Sequence, residues 1–278
     1  MAAQGPKQPI GVFDSGVGGL SVLLPLRRLL PAEDVVYVAD QAWCPYGPKP
    51  PQLIRDRSYA IVEALLARGA KLIVVACNAA STAALSALRE RYPAVPFVGM
   101  EPAVKPAAER TNTGHVGILA TAMTARGERL AQLIDRFGRG VTVHVTVPHG
   151  LVELVEQGLG ESDVTAALLA PTLHEWHEAG VDAVVLGCTH YPFARGVIER
   201  LAGSQITVID PGPAVARQTQ RVLDETGLTR PVAPSPSAPE GATTFLTTAE
   251  PAELRIAVRR LAGAALADSA AFGYLDLA

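Results

Sequence analysis

The sequence predicts an α/β protein of two pseudosymmetric domains, with mainly parallel sheets and a functional site in the cleft between them. Three observations carry that expectation. Short β-branched apolar runs alternate with segments of helical spacing along most of the 278 residues, the pattern of strands buried on both faces and joined by helices. One such run delivers Cys77 and Asn78 into a small-residue turn, and a second delivers Cys188, Thr189 and His190. Open α/β sheets bind ligands outside the carboxyl ends of their strands, so two thiols from two similar units can share one cleft. The third observation is a glycine-rich turn, Asp14-Ser15-Gly16-Val17-Gly18-Gly19, between a strand and a helix.

In chain order, Ile10 to Phe13 reads as a strand and Leu20 to Leu30 as a helix. Val35 to Ala39 is the next strand, followed by Asp40 and a proline-rich loop carrying Trp43, Cys44, Pro45, Tyr46 and Gly47. So much proline stiffens the loop, and a stiff loop at a sheet's carboxyl edge suits substrate contacts. The helix Gln52 to Arg68 leads to the strand ending at Cys77, and a helix from Asn78 to Tyr92 leads to the strand Pro96 to Met100. Cys77 thus sits at a helix N-terminus, where the dipole favours a thiolate.

A second series begins near Glu101. Val116 to Ala120 and Val141 to Val147 are strands flanking a helix over Met123 to Arg136. Leu151 to Gly158 is a short helix carrying Glu153 and Glu156, and Asp163 to Ala179 a longer one. Strands at Ala183 to Gly187 and Ile206 to Ile209 follow, then a helix from Pro213 to Thr226 and a Pro- and Ser-rich linker from Arg230 to Gly241. Thr243 to Thr247 and Glu253 to Leu261 read as a last strand and helix, with Ala264 to Ala278 unassigned. These boundaries give a first domain of residues 1–98 plus 210–278 and a second of 99–209.

A hydrophobic content of 49% with 18% charged residues describes a globular chain with a large core. Net charge is −3 and the basic residues are scattered, so no stripe suited to nucleic acid is present. No apolar run matches a signal-peptide core or a bilayer span, which points to a cytoplasmic, reducing setting without membrane attachment. The three cysteines, Cys44, Cys77 and Cys188, show neither Cys-x-x-Cys nor paired-His spacing, so neither a bound metal nor a disulfide framework is expected. A free cysteine most often only packs. The matching contexts of Cys77 and Cys188 favour a shared role.

The glycine-rich turn does not bind nucleotide by its pattern, because Ser21 stands where G-x-G-x-x-G needs glycine and no P-loop is present. Its backbone N–H groups suit a carboxylate, with Asp14 and Ser15 in the same space. The plainer alternative is that one of these two residues caps the helix.

Asp14-Ser15-Gly16-Val17-Gly18-Gly19, Asp40 with Pro45-Tyr46-Gly47, Ala76-Cys77-Asn78 and Gly187-Cys188-Thr189-His190-Tyr191-Pro192 resemble, in order and over about residues 10 to 226, the glutamate racemases. The resemblance implies cofactor-independent interconversion of L- and D-glutamate, with no metal, supplying D-glutamate for peptidoglycan. Such chemistry needs two bases, because the weakly acidic Cα proton leaves one face and a proton returns to the other. By resemblance Cys77 serves the D-enantiomer and Cys188 the L-enantiomer, assisted by Asp14, His190 and Glu156. Glu156 is preferred to Glu153 because it stands in a Val-Glu-x-Gly segment. Ser15, Tyr46, Gly47, Asn78, Ala79, Thr189 and His190, with Asp14, match substrate-binding positions. Ala79 stands where the family usually has threonine, removing a hydroxyl donor. The substrate is then the one expected small-molecule partner, with a homodimer left open. Rival readings are a racemase of aspartate or another acidic amino acid, and a thiol hydrolase with Cys77 as nucleophile and His190 as base.

Overall fold

The computed structural model describes residues 5–203, 206–231 and 240–277. Its first strands and helices are β1 (Ile10–Asp14), α1 (Leu20–Leu29), β2 (Val35–Ala39), α2 (Pro51–Ala67), β3 (Leu72–Val75), α3 (Asn78–Arg91) and β4 (Phe97–Gly99). After α4 (Val104–Arg110) come β5 (His115–Ala120), α5 (Ala122–Arg126), α6 (Glu128–Phe137), β6 (Thr142–Thr146), α7 (Leu151–Glu156) and α8 (Asp163–Glu178). The chain continues through β7 (Ala183–Gly187), α9 (Arg195–Ala202), β8 (Thr207–Ile209) and α10 (Gly212–Thr226). It ends with β9 (Thr243–Thr247), α11 (Pro251–Ala262), α12 (Ala264–Ser269) and β10 (Ala271–Tyr274).

All described strand pairings are parallel and fall into two sheets, ordered β10-β9-β2-β1-β3-β4 and β6-β5-β7-β8. The run β2-β1-β3-β4 has the same winding as β6-β5-β7-β8, which gives the pseudosymmetry its structural form. In each unit the strand order reverses between the first and third strands. That switch point is where parallel sheets open a crevice for ligands. The inner strands of both sheets are buried on both faces, whereas the edge strands β6 and β10 are partly exposed. In β1, Ile10 and Val12 enter one apolar cluster and Phe13 the opposite one; in β7, Val184 and Leu186 face one cluster and Ala183 and Val185 the other. Alternating burial on two apolar faces explains why these strands read as unbroken hydrophobic runs.

Several expectations need correction. The helix expected over Met123 to Arg136 is two helices, broken where Gly127 is extended (φ −73°, ψ 136°). Helices α4 and α9 were not anticipated, being short and amphipathic over few turns. The unassigned tail forms α12 and then β10, which pairs with β9 at the edge of the first sheet. The linker expected over residues 230–241 lies mostly outside the described residues.

Candidate active site

Four chain segments meet at the two switch points. Strand β1 ends in Asp14 and the glycine-rich turn, and β3 is followed by Cys77, whose sulfur accepts the Ala80 N–H at 3.5 Å as the N-cap of α3. Across from them β5 is followed by Thr121 and β7 by Cys188. Cys77 and Cys188 are each about one-twentieth exposed and line one cavity with Ser15, Pro45, Gly47, Asn78, Thr121 and His190. The volume of that cavity is ≈ 10 Å³, on the order of one water molecule.

The polar contacts are specific. Cys77 Sγ lies 3.9 Å from Ser15 Oγ. Cys188 Sγ lies 3.8 Å from His190 Nδ1, and His190 Nε2 donates to Glu156 Oε1 at 2.7 Å. Glu156 is the last residue of α7, whereas Glu153, three residues earlier, is exposed. The Thr189 hydroxyl donates to Asp14 Oδ1 at 3.2 Å, joining the loop after β7 to the end of β1. Asn78 is buried with neither amide atom partnered. A buried amide left unpaired costs free energy, so its place on the cavity wall marks it as a group for a ligand.

Within the glycine-rich turn three N–H groups are already engaged: Asp14 Oδ2 accepts from Gly16 and Gly19 at 3.0 and 3.1 Å, and Glu156 Oε1 accepts from Val17 at 2.8 Å. Neither Asp14 nor Ser15 is the N-cap of α1, which is Gly19. The glycines are there for close approach. A Cβ on Gly16 would stand 2.0 Å from Glu156 Oε1, and one on Gly18 would stand 2.2 Å from His190 Nδ1. Tyr46 also lines the cavity; its phenol donates to Asp40 at 2.5 Å, and Asp40 is gripped by Arg57 at 2.7 and 3.0 Å, which fixes the ring.

Burial shapes the ionisation of the site. It pushes the Cys77 thiol well above its ordinary value, aided by the Asp14 charge and opposed by the Ala80 N–H. The helix N-terminus therefore does not make Cys77 a resting thiolate, because desolvation outweighs the dipole. Burial by itself would lower His190, but hydrogen bonds to Cys188, Cys44 and Glu156 raise it well above 6.5. Burial would likewise raise Glu156, yet the His190 hydrogen bond and charge, with the Val17 N–H, hold it below the usual carboxylate range. Burial raises Asp14 despite the opposing His190 charge. An imidazolium beside a carboxylate, backing one thiol while the other stays protonated, is an acid–base pair set on two sides of a single cavity.

Residues not anticipated as part of the site are Thr121, Gln41 and Cys44. Thr121 follows β5 as Asp14 ends β1, so the rule of strand ends could have found it. Gln41 Nε2 reaches Glu156 Oε2 at 3.4 Å and Cys44 Sγ reaches Glu156 Oε1 at 3.6 Å; both contacts depend on long-range packing that no local pattern reveals. The described residues also supply one cluster of potential metal ligands, Cys44, Glu156 and His190.

Two sheets of one winding, each carrying a thiol to a common cavity, define a two-domain α/β protein with a paired-thiol site. The profile described as Asp/Glu/Hydantoin racemase matches residues 10–219, and the chain belongs to that family. It is 47% identical to the glutamate racemase of Roseiflexus sp., over 91% of this chain and 92% of that one. A crystal structure of a glutamate racemase isoform from Bacillus anthracis superposes with a TM-score of 0.84 at 27% identity, covering 97% of this chain and 98% of the other. The Escherichia coli glutamate racemase, solved with L-glutamate and the activator UDP-MurNAc-ala, gives a TM-score of 0.79 at 36% identity over 91% and 95% of the two chains.

Proposed function

We propose that this enzyme interconverts L- and D-glutamate by two-base proton transfer between Cys188 and Cys77, without a cofactor, and so supplies D-glutamate for peptidoglycan. The observation that carries the reading is the pair of thiols at equivalent strand ends, lining one cavity. From L-glutamate, the Cys188 thiolate takes the Cα proton, with the His190 imidazolium 3.8 Å away. The planar carbanion then takes a proton from the Cys77 thiol on its other face. Running backward, the roles exchange. The protonated resting state of Cys77 suits the forward step, since that thiol must hold a proton to give. Glu156 acts through His190 by holding its proton and ring orientation. The Asn78 amide, unpartnered on the cavity wall, is the donor for a substrate carboxylate, and the Asp14 carboxylate, held by the Thr189 hydroxyl, is the partner for the ammonium. Substrate choice for glutamate rests on the relatives, whose printed names are glutamate racemases.

All these groups come from one chain, so the chemistry requires no homodimer. No described helix is long and apolar enough to cross a membrane, and the thiols need a reducing compartment such as the cytoplasm. The hydrolase alternative fares worse, because the described contacts of His190 reach Cys188, Thr189 and Glu156 rather than Cys77. The test is circular dichroism or chiral chromatography of L-glutamate incubated with pure enzyme in heavy water. Expected is decay of optical activity with deuterium appearing first in D-glutamate. An unchanged rotation, or activity confined to aspartate, would overturn the reading.

A further inference from the structure

Cys44 has no part in the proton transfers above, yet its sulfur lies against the group that supports them. Cys44 Sγ, Glu156 Oε1 and His190 Nε2 lie within 4.8 Å of one another. We propose that these three side chains form a binding site for a soft divalent cation, Zn2+ above all, whose occupation arrests the enzyme. The arrest rests on the functional reading above; the binding does not.

The geometry fits zinc. Bond lengths of about 2.3 Å to sulfur and about 2.1 Å to oxygen place tetrahedral S and O ligands about 3.6 Å apart. The Cys44 Sγ to Glu156 Oε1 separation is 3.6 Å. The His190 to Glu156 separation, 2.7 Å as a hydrogen bond, would widen to about 3.3 Å as the ion replaces the shared proton. Ligands one shell out are already oriented: Val17 N–H and the Gln41 amide hold Glu156, and Thr189 Oγ1 lies 3.4 Å from the other nitrogen of His190. A separate cavity of ≈ 470 Å³ lined by Gln41, Cys44, Glu156 and Arg260 opens onto the Cys44 and Glu156 side of the trio, from which water can take a fourth position. A thiolate, an imidazole and one carboxylate suit zinc and exclude magnesium and calcium, which take oxygen ligands.

On binding, the Cys44 thiol and the His190 imidazolium each release one proton to solvent. The imidazolium that faces Cys188 is then gone, and Glu156 is tied to the metal. The ligands come from positions 44, 156 and 190, so no sequence spacing could have signalled them.

The experiment titrates Zn2+ into the whole enzyme by calorimetry and follows racemisation in parallel, for the parent, Cys44→Ser, Cys77→Ser and Cys188→Ser. Expected is one zinc per chain of the parent, with affinity at least about tenfold weaker in Cys44→Ser and within about threefold of the parent in the other two variants. Inhibition of the parent should be reversed by chelator, and should need at least about tenfold more zinc in Cys44→Ser, judged against that variant's own uninhibited rate. Co2+ should give a thiolate charge-transfer band that Cys44→Ser abolishes. Parent-like zinc affinity in Cys44→Ser, or affinity lost in Cys77→Ser or Cys188→Ser instead, would overturn the site and put the ion on the paired thiols. Zinc bound through Cys44 without inhibition would overturn the arrest. A chain that binds zinc as expected but does not racemise glutamate would refute the functional reading and leave the site standing.

Discussion

In the proposed mechanism each thiol answers for one face of Cα, so removing either should separate exchange from inversion. Cys77→Ala retains Cys188, which can take the proton of L-glutamate and return a solvent-derived one to the same face; Cys188→Ala does the same for D-glutamate. Racemisation should fall by about three to four powers of ten in each, about 4–5.5 kcal/mol of transition-state stabilisation, while deuterium exchange persists in one enantiomer only. Near-parent racemisation in either variant would end the two-base account. The His190 and Glu156 pair makes a second prediction. The raised His190 contributes stability that is full below its unfolded value near 6.5 and is lost as pH rises through the folded one. The lowered Glu156 contributes stability that is full above its unfolded value and is lost as pH falls through the folded one. Between about pH 4.5 and 6.5 both contributions are present, so the melting-temperature gap between parent and Glu156→Gln should be widest there and narrow on the alkaline side. The His190 ring signals in NMR should titrate above 6.5 in the parent and lower in Glu156→Gln, with Glu153→Gln matching the parent. At Ala79, buried on the cavity wall, Ala79→Thr restores a hydroxyl and should raise kcat/KM for glutamate at best about ten- to a hundredfold, as one charge-assisted hydrogen bond allows. No change would mean that another donor already serves that oxygen.

At the scale of the element, the glycine-rich turn is the part whose purpose the sequence hid. Its composition was plain, and its location between β1 and α1 was legible from the strand run and helical spacing on either side. What pressed on it was not, because Glu156 and His190 arrive from far along the chain. Gly16→Ala and Gly18→Ala should therefore lower the melting temperature by pushing on the Glu156–His190 pair, and lose at least about tenfold in kcat, a displacement near 1 Å being enough for such losses. If both keep parent rates, the close approach is not a functional constraint. The strands ending at Cys77 and Cys188 were legible for the opposite reason: each is a buried β-branched run with a turn residue at its end, and that signal is local. The break at Gly127 and the edge strand β10 escaped because short elements carry little periodicity, and because Ala-rich composition favours helix until a neighbouring strand supplies hydrogen-bond partners.

For the whole molecule, the cavity of ≈ 10 Å³ is too small for an amino acid, and the expected route for substrate is a parting of the two halves. Parting breaks the contacts of Glu156 with Val17 and of Thr189 with Asp14, and closing remakes them around the bound substrate. The Val17 amide should thus exchange with heavy water faster in the free enzyme than with saturating glutamate, while amides inside β5 and β7 stay equally protected in both. Equal exchange at Val17 would mean that entry does not use this opening. The two thiols, finally, are not supported alike: Cys188 has the His190 and Glu156 pair behind it, whereas Cys77 has Ser15 and the Ala80 N–H. Mirror-image substrates have equal free energies in water, so detailed balance forces kcat/KM to be the same in both directions for the parent and for every variant. The lopsided wiring can therefore only redistribute enzyme between its two bound states. It sets which enantiomer saturates the enzyme first and which one turns over faster when it does, in offsetting proportion, and a damaged support for one thiol taxes both directions of flux equally at low substrate.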